Sequence, residues 1–429
     1  MNKKRVLIIT YYWPPAGGPG VQRWLMFVKY LREFNIEPVV YTPENPAYPF
    51  KDEELLKIIP KGIEVIKKPI FEPYKVAALF GRKKVTTISK GIISDKKQSL
   101  IEKFLLWIRG NFFIPDARKF WVKPSVKFLH EFMAKETIDL IITTGPPHSV
   151  HLIGYELKKK NPALKWISDF RDPWTEIGYH KKLKLSRYAS SKHKKLEKQV
   201  FNTADNIIVT SETTKKWFQK TTEQPITVIT NGYDSEVNLS EKKSTKFTLA
   251  HIGSMLTGRN PKILWEVLAE LIREQKDFAN DFKLVLAGVV SNEVLDSINT
   301  RGLKDFVELP GYIAHHEVHK LQYNSSVLLL IAANSPDISY IIPGKLFEYM
   351  ASGNPILAFG PEEWDVKAIV AETKTGFSFK YTEKQQLKEK IVSFYQDFKS
   401  GSLKTNPNNI EKYHRKSLTA QLAKLIKST

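Results

Sequence analysis

The sequence contains no cysteine. This absence excludes disulfides, thiolate metal sites and cysteine nucleophiles, and it is typical of proteins in a reducing compartment. The sequence also lacks any run that approaches the roughly 20 apolar residues of a transmembrane helix. Its first residues, MNKKRVLIITYYWPP, are basic and then briefly apolar, which is too short a run for a signal peptide. We therefore expect a cytoplasmic protein.

Acidic residues are few relative to basic ones, since 45 Asp and Glu stand against 66 Lys and Arg and the net charge is +21. This excess indicates an anionic partner, and charge alone does not choose among nucleic acid, an anionic membrane surface and phosphorylated substrates. The sequence shows no recognised nucleic-acid-binding motif, so we do not expect a nucleic acid partner. A length of 429 residues with 42% hydrophobic residues indicates two or three folded domains.

Short apolar strands alternate with amphipathic helices in two successive series, which start at RVLIIT and at FTLAHIGSM. This alternation predicts an α/β fold of two Rossmann-like, doubly wound domains with parallel sheets. The predicted boundaries are an N-terminal domain at 1–234, a polar linker at 235–246, a C-terminal domain at 247–408 and a terminal helix at 409–429.

Two segments of the first domain, at about 67–130 and 180–200, are strongly basic, and the first also carries interleaved aromatic residues. We interpret 67–130 as an insertion or a set of helices within the first domain. Each Lys or Arg near an anionic leaflet contributes about 1 kcal/mol to membrane binding, and aromatic residues favour the membrane interface. These segments therefore predict docking to an anionic membrane surface, with a solvated basic face as the alternative.

Two loops have the composition of phosphate-binding loops. Gly17 and Gly18 follow the first strand and precede a helix, where backbone amides can approach an anion. Ser254 lies in the corresponding loop of the second domain, and Arg259 in that loop can grip phosphate with two hydrogen bonds. The alternatives are a simple tight turn and a solvated surface arginine.

The segment IIPGKLFEYMASGNPILAFG predicts a short helix that begins near Pro343 and ends at Gly353. Lys345 lies in its first turn, where the helix dipole disfavours a cation, and Glu348 lies one turn further on. An i,i+3 surface ion pair is the alternative, but it does not explain the placement of the lysine. A bound diphosphate does explain it, with the carboxylate of Glu348 close to a hydroxyl-bearing group such as ribose.

Two motifs of the first domain follow predicted strands and carry polar side chains. The motif DFRDPW supplies Asp169, Arg171 and Asp172 as candidate site residues, and a structural ion pair is the alternative. The motif TTGPPHSVH places His148 and Ser149 near a helix start, where they are candidates to contact an acceptor or a phosphate. A capping turn is the alternative for this pair.

No metal site is expected. Three histidines at 315, 316 and 319 lie close together without a carboxylate in matching register, so a solvated helix is the better interpretation. The second domain has no DxD-like acidic pair at a strand end, and the chain has no G-x-S-x-G motif.

Taken together, the motifs resemble the retaining glycosyltransferases of the GT-B fold, specifically glycosyltransferase family 4, over nearly the whole chain. The segments that carry the resemblance, in order, are the Gly17-Gly18 loop, ADNIIVTSETTKKWF, ITNGYD, GSMLTGRNP, LVLAGVV, FVELPGYIAHHEVHKLQYNSSVLLL and PGKLFEYMASGNPILAF.

The resemblance implies two domains that face a cleft, a C-terminal helix that crosses back to the first domain, and a nucleotide-sugar donor bound mainly by the second domain. Arg259 and Lys345 match the diphosphate-binding pair of the family, and Glu348 matches the second glutamate of its E-x7-E motif, which binds the ribose. Gly17 and Gly18 would approach the diphosphate. Transfer would retain the anomeric configuration and need neither a metal nor another cofactor.

The sequence departs from the family pattern at two places. Tyr340 occupies the position of the first glutamate of E-x7-E, which contacts the sugar, and Asp337 lies close enough to substitute for it. The motif DFRDPW stands where the family has a His-Asp pair, so its three charged residues are the candidate catalytic residues. Both departures indicate a divergent subgroup.

The expected function is therefore transfer of a sugar from a nucleotide-diphosphate sugar to a cell-envelope or lipid-linked glycan acceptor. We expect the protein in the cytoplasm, peripherally at the inner face of the membrane. Two alternatives remain: a nucleotide-sugar 2-epimerase of the same fold, and a non-enzymatic protein that binds anionic surfaces.

Overall fold

The computed structural model describes residues 3–73, 100–178, 180, 183–234 and 244–429. The chain forms two compact units. Unit one comprises residues 1–231 together with 415–429, and unit two comprises residues 232–414. The predicted linker at 235–246 lies mostly outside the described residues, as does the part of the predicted insertion at 74–99.

Unit one is built on a seven-stranded parallel sheet with the strand order β3-β2-β1-β4-β5-β6-β7. The strands are β1 (Lys4–Thr10), β2 (Ile36–Pro43), β3 (Glu64–Lys68), β4 (Leu140–Gly145), β5 (Lys165–Phe170), β6 (Asn206–Val209) and β7 (Ile226–Val228). The α-helices are α1 (Pro19–Leu31), α2 (Leu100–Phe112), α3 (Val122–Lys135), α4 (Ser149–Lys160), α5 (Arg187–Thr203), α6 (Glu212–Phe218) and, from the end of the chain, α14 (Arg415–Ser428).

Unit two is built on a six-stranded parallel sheet with the strand order β10-β9-β8-β11-β12-β13. The strands are β8 (Phe247–Ile252), β9 (Phe282–Ala287), β10 (Val307–Gly311), β11 (Val327–Ile331), β12 (Ile356–Phe359) and β13 (Gly376–Phe379). The α-helices are α7 (Lys262–Glu274), α8 (Lys276–Asp281), α9 (Asn292–Asn299), α10 (His315–Asn324), α11 (Lys345–Ala351), α12 (Asp365–Thr373) and α13 (Lys384–Lys399).

Both sheets are covered on both faces, which is why their strands read as continuous apolar runs rather than alternating ones. In β1, Val6 and Ile8 pack with α1 and α14 on one face, while Leu7 and Ile9 join the core on the other face. The two parallel, doubly wound sheets confirm the predicted α/β class. Two of the four edge strands, β3 and β13, were not predicted; both are short and only partly buried.

The last helix, α14, packs against α1 through Leu418, Leu422 and Ile426, which join the same apolar cluster. Lys4 at the start of β1 donates a hydrogen bond from Nζ to the carbonyl of Ile426, at 3.1 Å. An exposed ion pair between Lys416 and Glu33, at 2.6 Å, adds to this contact. The end of the chain is thereby part of unit one. None of the described helices is both long and apolar enough to span a bilayer.

A buried ion pair ties α1 to the end of β5. Arg23 and Asp169 are both 0% exposed, and Nη2 of the arginine donates to Oδ1 of the aspartate at 3.1 Å. The other carboxylate oxygen accepts hydrogen bonds from Trp24 Nε1 at 2.7 Å and from Thr144 Oγ1 at 2.8 Å. Arg23 also donates to the carbonyl of Thr230 at 2.6 Å. Because the carboxylate is enclosed and its oxygens are occupied, this geometry favours a structural role for Asp169.

We expect Asp169→Leu to destabilise the protein by about 3–5 kcal/mol, because it leaves the Arg23 guanidinium buried without its counter-charge. The double variant Arg23→Met/Asp169→Leu is expected to lose less, since neither charge then remains in the interior. Urea unfolding followed by tryptophan fluorescence measures both. Glu33→Gln is the matched control, because its exposed ion pair is worth at most about 1 kcal/mol. A loss for Asp169→Leu no larger than that of the control would contradict the prediction.

Candidate functional site

Two glycines bring the loop after β8 close to its neighbours. Gly253 follows β8 with a φ of 118°, and a Cβ at this position would lie 3.2 Å from Nζ of Lys345. A Cβ at Gly288 would lie 2.7 Å from the carbonyl oxygen of Gly253. A side chain at position 253 would therefore crowd the Lys345 ammonium, and glycine leaves this space free.

The Lys345 side chain lies over the carboxyl end of β8. It is half-buried, and Nζ donates to the carbonyl of Ile252 at 3.0 Å and contacts Nε2 of His251 at 3.3 Å. Glu348 instead accepts a hydrogen bond from Nε2 of the buried Gln322, at 3.1 Å. Within the described part of the chain, Lys345 and Glu348 therefore do not form the i,i+3 surface ion pair that was the alternative interpretation of their spacing.

Burial, together with the positive charge of Arg259, lowers the pKa of Lys345 to about 7, and the charge of Glu348 opposes this shift. The helix α11 that begins with Lys345 has only seven residues, so its dipole adds less than the sequence pattern indicated. The site therefore gathers positive charge at a strand end, and an anion bound there would restore the ammonium form.

Arg259 and Ser254 lie on the exposed loop between β8 and α7, where Nη1 of the arginine donates to the carbonyl of Ser254 at 3.3 Å. Asp337 is exposed in a short 3-10 helix at Pro336–Ile338. Tyr340 is 3% exposed and belongs to the interior of unit two. Of the two residues considered for sugar contact, only Asp337 is on the surface.

Three residues of this site were not predicted: His251, Gln322 and Tyr349. The Tyr349 hydroxyl accepts a hydrogen bond from the backbone amide of Ile252 at 3.1 Å, which fixes α11 against the end of β8. A signal for His251 existed, since it is a titratable residue inside the otherwise apolar strand FTLAHI. Gln322 and Tyr349 lie on helices without a distinguishing pattern, and only the tertiary structure identifies them.

In unit one, the Gly17-Gly18 loop packs closely before α1. The amide of Gly17 donates to the carbonyl of Phe50 at 3.2 Å, and a Cβ at Gly17 would collide with the Phe50 ring. Gly18 is the N-cap of α1 with a φ of 107°, which a residue with a side chain rarely adopts. The backbone conformation therefore favours glycine at position 18, and the close approach of the Phe50 ring favours it at position 17.

Arg171 crosses the start of α1. It donates from Nε to the carbonyl of Gly145 at 3.1 Å and from Nη2 to the carbonyl of Pro146. A Cβ at Gly20 would collide with Nη1 of Arg171, so only glycine lets the guanidinium lie there. The side chain is half-buried, and this desolvation lowers the pKa of Arg171.

Asp172 differs from Asp169 in that no hydrogen-bond donor contacts its carboxylate within the described residues. The side chain is half-buried, and burial raises the pKa of Asp172 while the Arg171 charge opposes that shift. A carboxyl group with a raised pKa and no donor is better suited to exchange a proton than one that is fully hydrogen-bonded.

His148 and Ser149 are both buried at the start of α4. The Ser149 amide and hydroxyl donate to the two carboxylate oxygens of Asp116, at 2.9 and 2.8 Å. Asp116 therefore caps α4, a contact that the sequence pattern did not reveal. The His148 ring stacks on Trp174 with 5.1 Å between centroids, and burial lowers the pKa of His148 well below its usual value, so the ring is neutral.

No group of three or more His, Asp and Glu side chains that could hold a metal ion occurs among the described residues. The expectation that no metal or other cofactor is needed stays a prediction.

Comparison with known families identifies the enzyme class. The model "Glycosyl transferases group 1" matches residues 246–397, and the model "Glycosyltransferase Family 4" matches residues 94–237. Together these two matches cover most of unit two and much of unit one. No curated protein sequence matches the chain.

Solved structures with the same fold cover nearly the whole chain at low sequence identity. Anabaena Alr3699/HepE in complex with UDP-glucose has a TM-score of 0.60 at 14% identity, covering 99% of this chain and 100% of that one. A mutant of S. aureus TarM in complex with fondaparinux, alpha-GlcNAc-glycerol and UDP has a TM-score of 0.58 at 13% identity, covering 99% of each chain. The putative UDP-N-acetylglucosamine 2-epimerase of Listeria monocytogenes has a TM-score of 0.54 at 12% identity, covering 99% of this chain and 96% of that one.

The structural likeness shows the fold alone, because the identities are only 12–14% and a putative epimerase is among the similar structures. The two sequence-family matches indicate the enzyme class, since both describe glycosyltransferases. They favour a transferase over an epimerase and over a non-enzymatic binding protein. The chain is therefore a glycosyltransferase with the GT-B fold, similar to the group 1 and family 4 glycosyltransferases.

Proposed function

We propose that the protein transfers a sugar from a nucleotide-diphosphate sugar to a cell-envelope or lipid-linked glycan acceptor, with retention of the anomeric configuration and without a metal. The observation that carries the donor class is the half-buried ammonium of Lys345, which the positive charge of Arg259 also reaches and which forms no ion pair with any described residue. The UDP-glucose bound by HepE and the alpha-GlcNAc-glycerol bound by the TarM mutant support a nucleotide sugar and a glycan acceptor.

In this proposal, Arg259 and Lys345 hold the donor diphosphate, and Glu348, oriented by Gln322, accepts hydrogen bonds from the ribose hydroxyls. The two cations stabilise the negative charge that develops on the departing nucleoside diphosphate, which is where electrostatic stabilisation lowers the barrier most. Asp337 and Ser254, both exposed, are the proposed contacts near the sugar. Tyr340 is buried and is proposed to support that loop by packing.

Unit one is proposed to supply the acceptor side. Asp172 and Arg171 are the proposed catalytic residues, whereas Asp169, enclosed by Arg23, is proposed to position the strand end that carries them. Gly17 and Gly18 are the proposed contribution of unit one to the diphosphate. His148 and Ser149 are proposed to shape the acceptor side from beneath, because both are buried.

We expect Lys345→Met to weaken UDP-glucose binding by about 30- to 160-fold, because a charge-assisted hydrogen bond to the diphosphate contributes about 2–3 kcal/mol. A bound diphosphate raises the pKa of Lys345, so the protonated form binds best. Wild-type affinity is then constant below about pH 7 and falls as the pH rises above it, with uptake of up to one proton per UDP-glucose bound.

Isothermal titration calorimetry in two buffers of different ionisation enthalpy measures both the affinity and the proton uptake. The esterified diphosphate of UDP-glucose does not itself titrate in this range. Lys367→Met, a change at an exposed lysine of α12, is the matched control and should retain the wild-type behaviour. Unchanged UDP-glucose binding in Lys345→Met would remove Lys345 from the donor site. GDP-, ADP- and dTDP-sugars are tested in parallel, because the nucleobase is not part of the proposal.

We expect no epimerisation when the protein is incubated with UDP-GlcNAc alone, since the proposed chemistry requires an acceptor. Proton NMR of the sugar distinguishes the 2-epimer from the starting material. With an acceptor, the product linkage should keep the configuration of the donor, and EDTA should leave the rate unchanged. Formation of the 2-epimer without an acceptor would overturn the transferase mechanism.

An anionic membrane surface is the proposed location of the acceptor. The helix α2 exposes Phe104 and Phe112 by 58% and 60%, and Trp107 lies between them with ring centroids 6.2 and 5.6 Å away. The end of α2 is tied to the start of α5 by Asn111, whose Oδ1 accepts a hydrogen bond from the amide of Ser186 at 2.7 Å. The exposed lysines of α5 are Lys192, Lys194, Lys195 and Lys198.

We expect Phe104→Ser/Trp107→Ser to reduce binding to vesicles that contain anionic phosphatidylglycerol by about tenfold, because aromatic rings favour the membrane interface. Binding should also fall as salt screens the lysines. Vesicle flotation measures the bound fraction, with pure phosphatidylcholine vesicles as the uncharged comparison. Tyr312→Ser, at an aromatic residue 87% exposed in unit two, is the control. Equal binding by the double variant and the control would exclude α2 as a membrane contact.

A further inference from the structure

His251 lies at the topological switch point of the second sheet. It is the next-to-last residue of β8, and the sheet continues from β8 to β9 and β10 on one side and to β11, β12 and β13 on the other side. Ligands of doubly wound sheets bind outside the strand ends at this position. The side chain is 0% exposed. An imidazole at this place needs hydrogen-bond partners inside the protein.

The two ring nitrogens of His251 have different partners, and these partners fix the tautomer. Nδ1 lies 2.9 Å from the carbonyl oxygen of Leu329 on β11, which can only accept, so Nδ1 carries the proton. Nε2 is then a lone-pair acceptor, and it faces Nζ of Lys345 at 3.3 Å. Burial and the nearby charge of Lys345 lower the pKa of His251 well below its usual value, which keeps the ring neutral.

This arrangement orients the lysine. An ammonium has three N–H bonds, and in the described structure two of them point to Ile252 O and His251 Nε2. The ammonium also lies against Gly253, where no side chain fills the space. The charged groups that act on it are Arg259 and Glu348. A lysine is otherwise a flexible point charge, and holding it in place beforehand lowers the entropic cost of binding.

Resting on the proposed donor site, we infer that His251 is a positioning residue for the donor diphosphate: its Nδ1-protonated imidazole holds the Lys345 ammonium toward the ligand without contacting the ligand itself. A histidine that merely fills the core would support the nucleoside and the diphosphate parts of the site equally. Substitution of a residue that acts through Lys345 should weaken only the binding of the diphosphate and leave the binding of the nucleoside unchanged.

Two substitutions test the roles of Nδ1 and Nε2 of His251 separately. His251→Asn places an amide near the position of Nδ1, so it can still donate to Leu329 O, but it leaves Lys345 without the Nε2 acceptor. His251→Gln places an amide oxygen near the position of Nε2, so it can still accept from Lys345. We expect His251→Asn to weaken UDP binding about tenfold, to raise the KM for UDP-glucose and lower kcat, because Lys345 also faces the departing diphosphate, and to leave uridine binding unchanged. His251→Gln should restore most of the UDP affinity.

Calorimetric titrations with UDP and uridine, and with GDP and guanosine as a second pair, measure these effects on the full chain. Thermal unfolding of both variants reports whether they are folded. Equal weakening of uridine and UDP, unchanged UDP binding in His251→Asn, or a glutamine variant no better than the asparagine variant would each overturn the inference. Failure of every nucleoside diphosphate to bind the wild-type protein would instead refute the proposed donor site.

Discussion

The candidate donor site depends on a lysine ammonium held at a strand end where burial disfavours its charge. Lys345 is fixed by Ile252 and His251 and lies beside Arg259, and its pKa is lowered to about 7. The surrounding fold accounts for this position: the glycine at 253 keeps the approach open, and Tyr349 holds α11 against β8. A diphosphate would satisfy this charge, so the same interaction explains the local structure and the proposed ligand.

Unit one uses its charges in a different way. Asp169 and Arg23 neutralise each other in the interior, and additional hydrogen bonds from Trp24 and Thr144 complete the carboxylate's environment. This network holds the end of β5 against α1. Arg171 and Asp172, the next charged residues along the chain, are only half-buried. The motif DFRDPW therefore contains one residue of a buried ion pair, Asp169, and two candidate catalytic residues, Arg171 and Asp172.

The sequence was sufficient for the fold class because parallel sheets covered on both faces produce short, continuous apolar strands between amphipathic helices. It also predicted a short helix that begins near Pro343 and ends at Gly353; the observed helix spans Lys345–Ala351, and Gly353 follows it with a φ of 75°. It did not separate the three charged residues of DFRDPW, because the burial of Asp169 depends on Arg23 of α1, which lies 146 positions earlier in the chain. The edge strands β3 and β13 were also not predicted; both are short and only partly buried.

The sequence by itself determined the two doubly wound sheets, the glycosyltransferase resemblance and the unusual position of Lys345, because these features depend on local periodicity and on residue order. Only the tertiary structure decided which partners surround each charge. Asp116 caps Ser149, Gln322 pairs with Glu348, and His251 reaches Lys345 from 94 positions away in the chain. Such contacts join strands and helices that are distant in sequence, and no local pattern specifies them.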